Sequence, residues 1–397
     1  MSEVVNIPQL RFPEFNGGWK ESRIGKIYKD LRTGSTPSRA VKSYFKGDNP
    51  WITSGELKYN RISTTFEQIS DEAIKDTNLV LYQPGTLFIA ITGLEAPGTR
   101  GKCAINAVPS TTNQSCLAFR KVDSVDTIYM FYWYLKYGKP LYFKYAQGTK
   151  QQSFNNKIVE KFQIFLPNKP EQQKIAAFLS AVDNKIEQLS KKQELLGEYK
   201  KGLMQQIFSQ AIRFKADDGS DFPDWKENKV DEFMEVTRGQ VLAVPEMRQV
   251  ESEIFKYPVY SSQTKNNGLT GYYTDYLFED CITWTTDGAN AGDVNYRAGK
   301  FYCTNVCGVL RSKKGYANLC IAQILNSVSR RYVSYVGNPK LMNNVMEKIK
   351  ISIPSSINEQ TKIANFLSSV DSKIEEVGKQ LDESKQFKKA LLQKMFV

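Results

Sequence analysis

The sequence predicts an α+β fold of two mixed α/β globular domains separated by two long helices that pair with each other. Three observations carry this expectation. A 39-residue segment occurs twice, without a gap. Shorter motifs ahead of the two copies echo one another. The stretches between them are runs of Val, Ile, Tyr, Phe and Thr punctuated by Gly, Asn and Asp, the composition of strands and turns.

The repeat is the strongest signal. Glu171–Ser209 recurs 188 residues later as Glu359–Val397, with 19 identities in 39 positions. Neither copy contains proline, while Pro170 precedes the first and Pro354 lies shortly before the second, so each reads as one uninterrupted helix. Apolar residues follow a 4-3-4-3 spacing: Ile175, Leu179, Val182, Ile186 and Leu189 in one copy, Ile363, Leu367, Val370, Ile374 and Val377 in the other. That is the seam of a coiled coil, on a rod of roughly 58 Å at 1.5 Å per residue. Polar Gln193, Lys200, Ser384 and Lys388 interrupt the later part of each stripe.

The weaker echoes complete a tandem duplication. Ile164-Phe-Leu-Pro167 answers Ile351-Ser-Ile-Pro354, and Asn156 with Glu160-Lys161 answers Asn343 with Glu347-Lys348. Near the domain starts, Phe12-Pro13, Trp19-Lys20-Glu21 and Thr33-Gly34 are matched to Phe222-Pro223, Trp225-Lys226-Glu227 and Arg238-Gly239. The expected plan is a domain over 1–168, a helix over 169–210, a second domain over 211–356 and a second helix over 357–397.

Composition restricts the chemistry. The 397 residues include no histidine, which excludes Ser-His-Asp and Cys-His triads and histidine-containing zinc sites. The net charge of +12 favours a polyanionic partner. Residues 1–170 carry +9 of it and residues 210–358 only +1, so the second domain is expected to rely on local patches or on its partners. No basic segment followed by an apolar one opens the chain, and Gln83, Pro84 and Gly85 break its most apolar run. A signal peptide and a membrane span are therefore not expected. Six cysteines in strand-like surroundings are expected to be buried, reduced thiols of a cytoplasmic protein.

Several motifs suggest catalysis and fall short. Asp48-Asn-Pro-Trp51 has one proline where an amine-gripping methyltransferase loop has two, and no glycine-rich cofactor loop accompanies it. Pro223-Asp224 and Glu227-Asn-Lys229 stand too close for the paired carboxylates of a nuclease metal site. Gly93–Thr99 lacks the lysine of a phosphate loop, and Cys303-x3-Cys307 has the wrong spacing for zinc. No catalytic, cofactor or metal residues are assigned.

DNA readout instead needs Arg, Lys and amide side chains on loops, beside hydroxyls that meet the backbone. The first domain offers Thr33, Ser35, Arg39 and Lys42, then Thr53 and Ser54, then Thr92, Arg100 and Lys102, then Thr149, Lys150 and Gln151. In the second domain the corresponding candidates are Arg238 and Gln240, then Ser261, Ser262, Gln263, Lys265, Asn266 and Asn267, then Thr286 and Asn290, then Lys340 and Asn343.

The duplicated Glu-Gln-x-Lys-Ile-Ala-x-Phe-Leu-Ser-x-Val-Asp-x-Lys-Ile-Glu, following a strand that ends in proline, closely resembles the central and distal regions of type I restriction-modification specificity (S) subunits. Gly47–Leu57, Val259–Gly268 and Ile282–Gly288 look like segments of that family's target-recognition domains. The resemblance covers essentially the whole chain. It implies antiparallel pairing of the two helices and a pseudo-two-fold internal repeat. It further implies a non-catalytic subunit that reads a bipartite site in double-stranded DNA, with half-sites about one helical turn (~34 Å) apart and a spacer set by the coiled coil. Partners would be two modification subunits, which methylate adenine with S-adenosylmethionine, and restriction subunits that use ATP and Mg2+; no cofactor is expected on this chain and no membrane. Apolar residues outside the main seam, such as Phe178 and Phe366, would face the modification subunits. The alternative is a coiled-coil nucleic-acid-binding scaffold or adaptor outside restriction-modification, which aromatic base-stacking pairs on a sheet would support.

Overall fold

The computed structural model describes residues 6–94, 96, 98–148, 152–262 and 266–397. The chain divides into two compact units, one of residues 1–191 with 378–397, the other of residues 192–377. Each unit thus holds one globular domain, the first half of the helix that follows it and part of the other long helix.

In the first unit a five-stranded sheet runs in the order Arg32–Thr33, Cys116–Phe119, Leu87–Ala90, Cys103–Asn106, Arg61–Ile62, antiparallel except for its last pair. Its inner strands are apolar on both faces. The helix α1 (Thr127–Tyr145), opened by Asp126 accepting from the Ile128 and Tyr129 amides, presents a buried aromatic run from Tyr129 to Tyr134 to the same core. The second unit carries a six-stranded sheet whose first five strands repeat that order: Glu235–Arg238, Cys307–Arg311, Phe278–Thr285, Val294–Cys303, Tyr257–Tyr260, again with one parallel pair at the end. Leu269–Tyr273 adds the sixth. The sequence echo between the domains is faint, but the sheet topology is shared.

The echoed motifs lie at the joints. Lys20–Arg23 pairs antiparallel with Gln163–Leu166, and Lys226–Lys229 with Lys350–Ile353, so the Trp-Lys-Glu and Ile-x-x-Pro motifs at opposite ends of each domain form one ribbon. Gly34 and Gly239 mark a close backbone crossing. A Cβ at Gly34 would meet the Thr112 carbonyl oxygen at 1.5 Å, and one at Gly239 the Cys303 carbonyl oxygen at 2.0 Å.

The helix α2 (Lys169–Phe208) starts at Lys169, which places Pro170 in its first turn; the helix Leu319–Ser329 is α3, and α4 spans Ile357–Lys394. The repeated Glu-Gln pair fastens α2 and α4 to their domains. Glu171 is fully buried and accepts from Arg11 at 2.7 and 2.8 Å and from the Trp19 indole at 3.3 Å. Glu359, equally buried, accepts from Arg213 and, at 3.1 Å, from the Trp225 indole. Gln172 donates to the Pro167 carbonyl and Gln360 to that of Pro354, at 2.9 and 2.8 Å. A carboxylate at a helix N-terminus is further favoured by the helix dipole.

This corrects one alignment. Arg11-Phe12 corresponds to Arg213-Phe214, not Phe12-Pro13 to Phe222-Pro223 alone. Phe12 packs edge-on against Phe178, and Phe214 against Phe366, at 5.7 and 5.5 Å. Phe222 keeps only the other role of Phe12, lying beneath Lys362 as Phe12 lies beneath Lys174. The longer second loop splits between two residues what one does in the first domain. Phe178 and Phe366 are therefore half-buried against their own domains and are not the open faces expected.

Within each unit the helix segments run antiparallel. In the first, Trp19 binds Glu171 and packs on Phe396, while Asp183, further along α2, meets Lys388, further back along α4, at 2.6 Å. In the second, Lys200 meets Asp371 at 2.6 Å, and Ile207 shares a core with Ile363 and Leu367. The polar breaks Lys200 and Lys388 are each answered by an aspartate on the facing helix, a pairing that fixes register more than it stabilises. Of the expected seam, Leu189, Val370 and Val377 are buried, and Val182, Ile186 and Ile374 half-buried. Ile175, Leu179, Ile363 and Leu367 sink into the cores of their domains, so the stripe there glues helix to domain as well as helix to helix.

Candidate nucleic-acid interface

Thr33 and Ser35 flank the crossing at Gly34, whose amide donates to the Asn113 carbonyl. Both are half-buried there, and the Ser35 hydroxyl, shielded from water, has no partner among the described residues. The Trp51 indole holds this loop through the Ser35 carbonyl at 3.2 Å. Arg39 is exposed, 4.2 Å above the Phe45 ring, and forks onto Glu67, holding that carboxyl below its usual range. Lys42 is exposed on the next turn. Thr53 and Ser54 are half-buried at a short turn where Thr53 and Glu56 cap each other.

Thr92 is half-buried; Arg100 donates to the Leu94 carbonyl at 2.7 Å and covers the Tyr142 ring; Lys102 lies 4.2 Å over Tyr59. Cations stacked over a ring in this way are held in place by the attraction of its face. Thr149, Lys150 and Gln151 lie outside the described residues, as do Gln263 and Lys265 in the second domain. The Arg39–Glu67 pair is exposed to solvent, so water screens it and replaces it readily when another anion approaches. Arg39→Ala should therefore weaken DNA binding and lower the slope of log affinity against log salt by about 1, measured by titration at several salt concentrations.

In the second domain, Arg238 and Gln240 are exposed at a strand end whose backbone is tied to Cys303 and Cys307. Ser261 and Ser262 are half-buried, and Thr304 donates to the Ser261 hydroxyl at 2.9 Å. Asn266 and Asn267 are exposed in the left-handed region, with φ of 51° and 50°, a conformation that asparagine tolerates. Lys340 stands 3.6 Å from Asp287, where residues 286–288 and 339–341 are laced together by backbone hydrogen bonds.

Two candidates face inward. Thr286 is fully buried and donates to Asp287 and to the Val306 carbonyl. Asn343 donates to the Thr237 carbonyl at 3.3 Å, as its repeat counterpart Asn156 does to Leu31 at 2.9 Å. Thr286, with no exposed surface, is thereby removed from the interface, while Asn343 stays half-buried with an amide proton engaged by its own domain. Three others converge: Ser261, Asn267 and Asn290 line one polar cavity of about 270 Å³, together with Arg297, a residue that sequence reasoning did not select.

Among the described residues, no cluster of acidic and cysteine side chains could hold a metal ion, and no helix is long and apolar enough to cross a membrane. All six cysteines are free and buried, and burial pushes the Cys116 thiol up to about 12.

Comparison with known proteins agrees with this plan. The family described as the type I restriction modification DNA specificity domain matches twice, over residues 16–196 and 223–383. The MjaIX type I specificity subunit of Methanocaldococcus jannaschii is 29% identical over 282 residues, 66% of this chain and 64% of that protein. A putative type I specificity subunit N-terminus of Mycoplasma pneumoniae is 37% identical over 146 residues, 36% of this chain and 75% of that one. The chain thus spans just under two thirds of the archaeal relative. In fold it resembles the crystal structure of a type I restriction-modification S subunit from M. genitalium, with a TM-score of 0.65 at 18% identity over 98% of this chain and 99% of that one. With both copies of the duplicated plan matched in turn, the chain belongs to the type I restriction-modification DNA specificity family.

Proposed function

We propose that this chain is the DNA-reading specificity subunit of a type I restriction-modification complex in the cytoplasm. The observation that carries the reading is the double family match on a duplicated sheet topology, with loops that differ between the copies. Residues 1–168 and 211–356 are assigned as target-recognition domains, each reading one half of a bipartite site in double-stranded DNA. The helices over 169–210 and 357–397 set the unread spacer. Catalysis is assigned to partners: two modification subunits that methylate adenine with S-adenosylmethionine, and ATP-driven restriction subunits. A modification subunit must take its adenine out of the stack, and this chain supplies the address.

Exchange of residues 215–352 for the corresponding domain of another specificity subunit tests this. Methylome sequencing of cells that co-express the chimera with modification subunits should find one half-site replaced and the other half-site and spacer unchanged. A change in both half-sites, or no bipartite motif with the unaltered chain, would refute the reading.

A further inference from the structure

The cavity in the second domain holds a cation that the fold alone does not explain. Arg297 lies on the strand Val294–Cys303 and retains only 9% of its exposure. Its Nε donates to Thr283 Oγ1 at 3.1 Å, one Nη donates to the Asn267 carbonyl at 2.6 Å, and its plane rests 3.8 Å from the centre of the Tyr260 ring. Those two bonds use two of five N–H donors. Among the described residues no carboxylate pairs with it; the Asp293 carboxylate at the same cavity is engaged by Arg330. Burying a guanidinium without a counter-charge is unfavourable, so its retention in a cavity marks a site that awaits acceptors.

The rest of the lining identifies the acceptors. Asn290 and Asn295 line the same cavity, and their side-chain amides make no hydrogen bond among the described residues. An amide offers a donor and an acceptor together, which matches the edge of a nucleobase. A phosphate has acceptors only and would leave the oxygens of the two amides without a donor. A guanidinium fixed by Thr283, Asn267 and Tyr260 is a rigid fork, and the base that presents two adjacent acceptors is guanine, through O6 and N7.

We propose that Arg297 is a specificity-determining residue of the second domain, which reads a guanine, and that Asn290 and Asn295 align that base. This rests on the specificity-subunit function proposed above and deepens it to one residue and one base.

The test is methylome sequencing of cells that co-express the full chain and its modification subunits, comparing the natural chain with Arg297→Gln. A bipartite motif containing guanine in one half-site is expected with the natural chain. In Arg297→Gln the preference at a single G·C pair of that half-site should fall by about 5- to 150-fold, while the other half-site and the spacer stay fixed. An unchanged motif with uniformly weaker binding and a shallower salt dependence would make Arg297 a phosphate contact and overturn the proposal. An unchanged motif with only a lower melting temperature would make it a structural residue and overturn it equally. Should Arg297→Gln fail to fold, Asn290→Ala and Asn295→Ala take its place: relaxation within one half-site supports the proposal, and an intact motif in both overturns it. A natural chain that directs no bipartite methylation at all refutes the broader function instead, which keeps the two failures apart.

Discussion

Replacing Glu359 by alanine should destabilise the chain by about 1–3 kcal/mol, because it removes the buried acceptor shared by Arg213 and the Trp225 indole, while Arg213 keeps only the Phe222 and Pro223 carbonyls and the exposed Asp224. Glu171→Ala should cost a similar amount, since Arg11 and Trp19 repeat the arrangement. Urea unfolding of the full chain, followed by tryptophan fluorescence, measures both. The double change Arg213→Ala with Glu359→Ala should cost less than the two single changes together, because no buried charge is then left alone. A loss below about 1 kcal/mol for Glu359→Ala would mean that water reaches the carboxylate, and the joint would not be the buried latch described here.

The second large effect belongs to Trp284. It is 1% exposed, donates to the Leu341 carbonyl at 3.0 Å and covers Gly308 so closely that a Cβ there would meet the ring at 2.1 Å. Trp284→Ala should therefore cost about 3–5 kcal/mol through the cavity it leaves. Gly308→Ala, which pushes into the same ring, should be destabilising from the opposite direction, by about 1–3 kcal/mol. Equal stability of Gly308→Ala and the natural chain in a urea titration would show that the ring can move aside.

The helices were the most legible part of the sequence, because a strict apolar period survives in both copies and has a direct geometric meaning. The Glu-Gln pair was legible as a repeat but silent as to purpose. Its partners Arg11 and Arg213 lie far off in the chain, and the loops after them differ in length, which drew the alignment onto Phe-Pro instead. The shared sheet order was hidden for a similar reason: topology constrains which strands neighbour each other, while many side chains can fill the space between them. Among the DNA candidates, loop composition selected Ser261, Asn267 and Asn290, which line one cavity, but could not tell that Thr286 is fully buried. Arg297 escaped because an arginine in an alternating strand reads as solvent-facing; a tyrosine and a distant loop carbonyl bury it.

One feature of the first unit bears on how the chain matures. Leu391, Met395 and Phe396 belong to the same core as Trp19 and Tyr129. Synthesis runs from the N-terminus, so the first domain cannot complete its core until α4 has left the ribosome. Until then the apolar side of α2 has no mate, and contacts of such long sequence separation form slowly. The nascent chain thus passes through an extended interval with an open hydrophobic face, the stage at which it is most prone to aggregate.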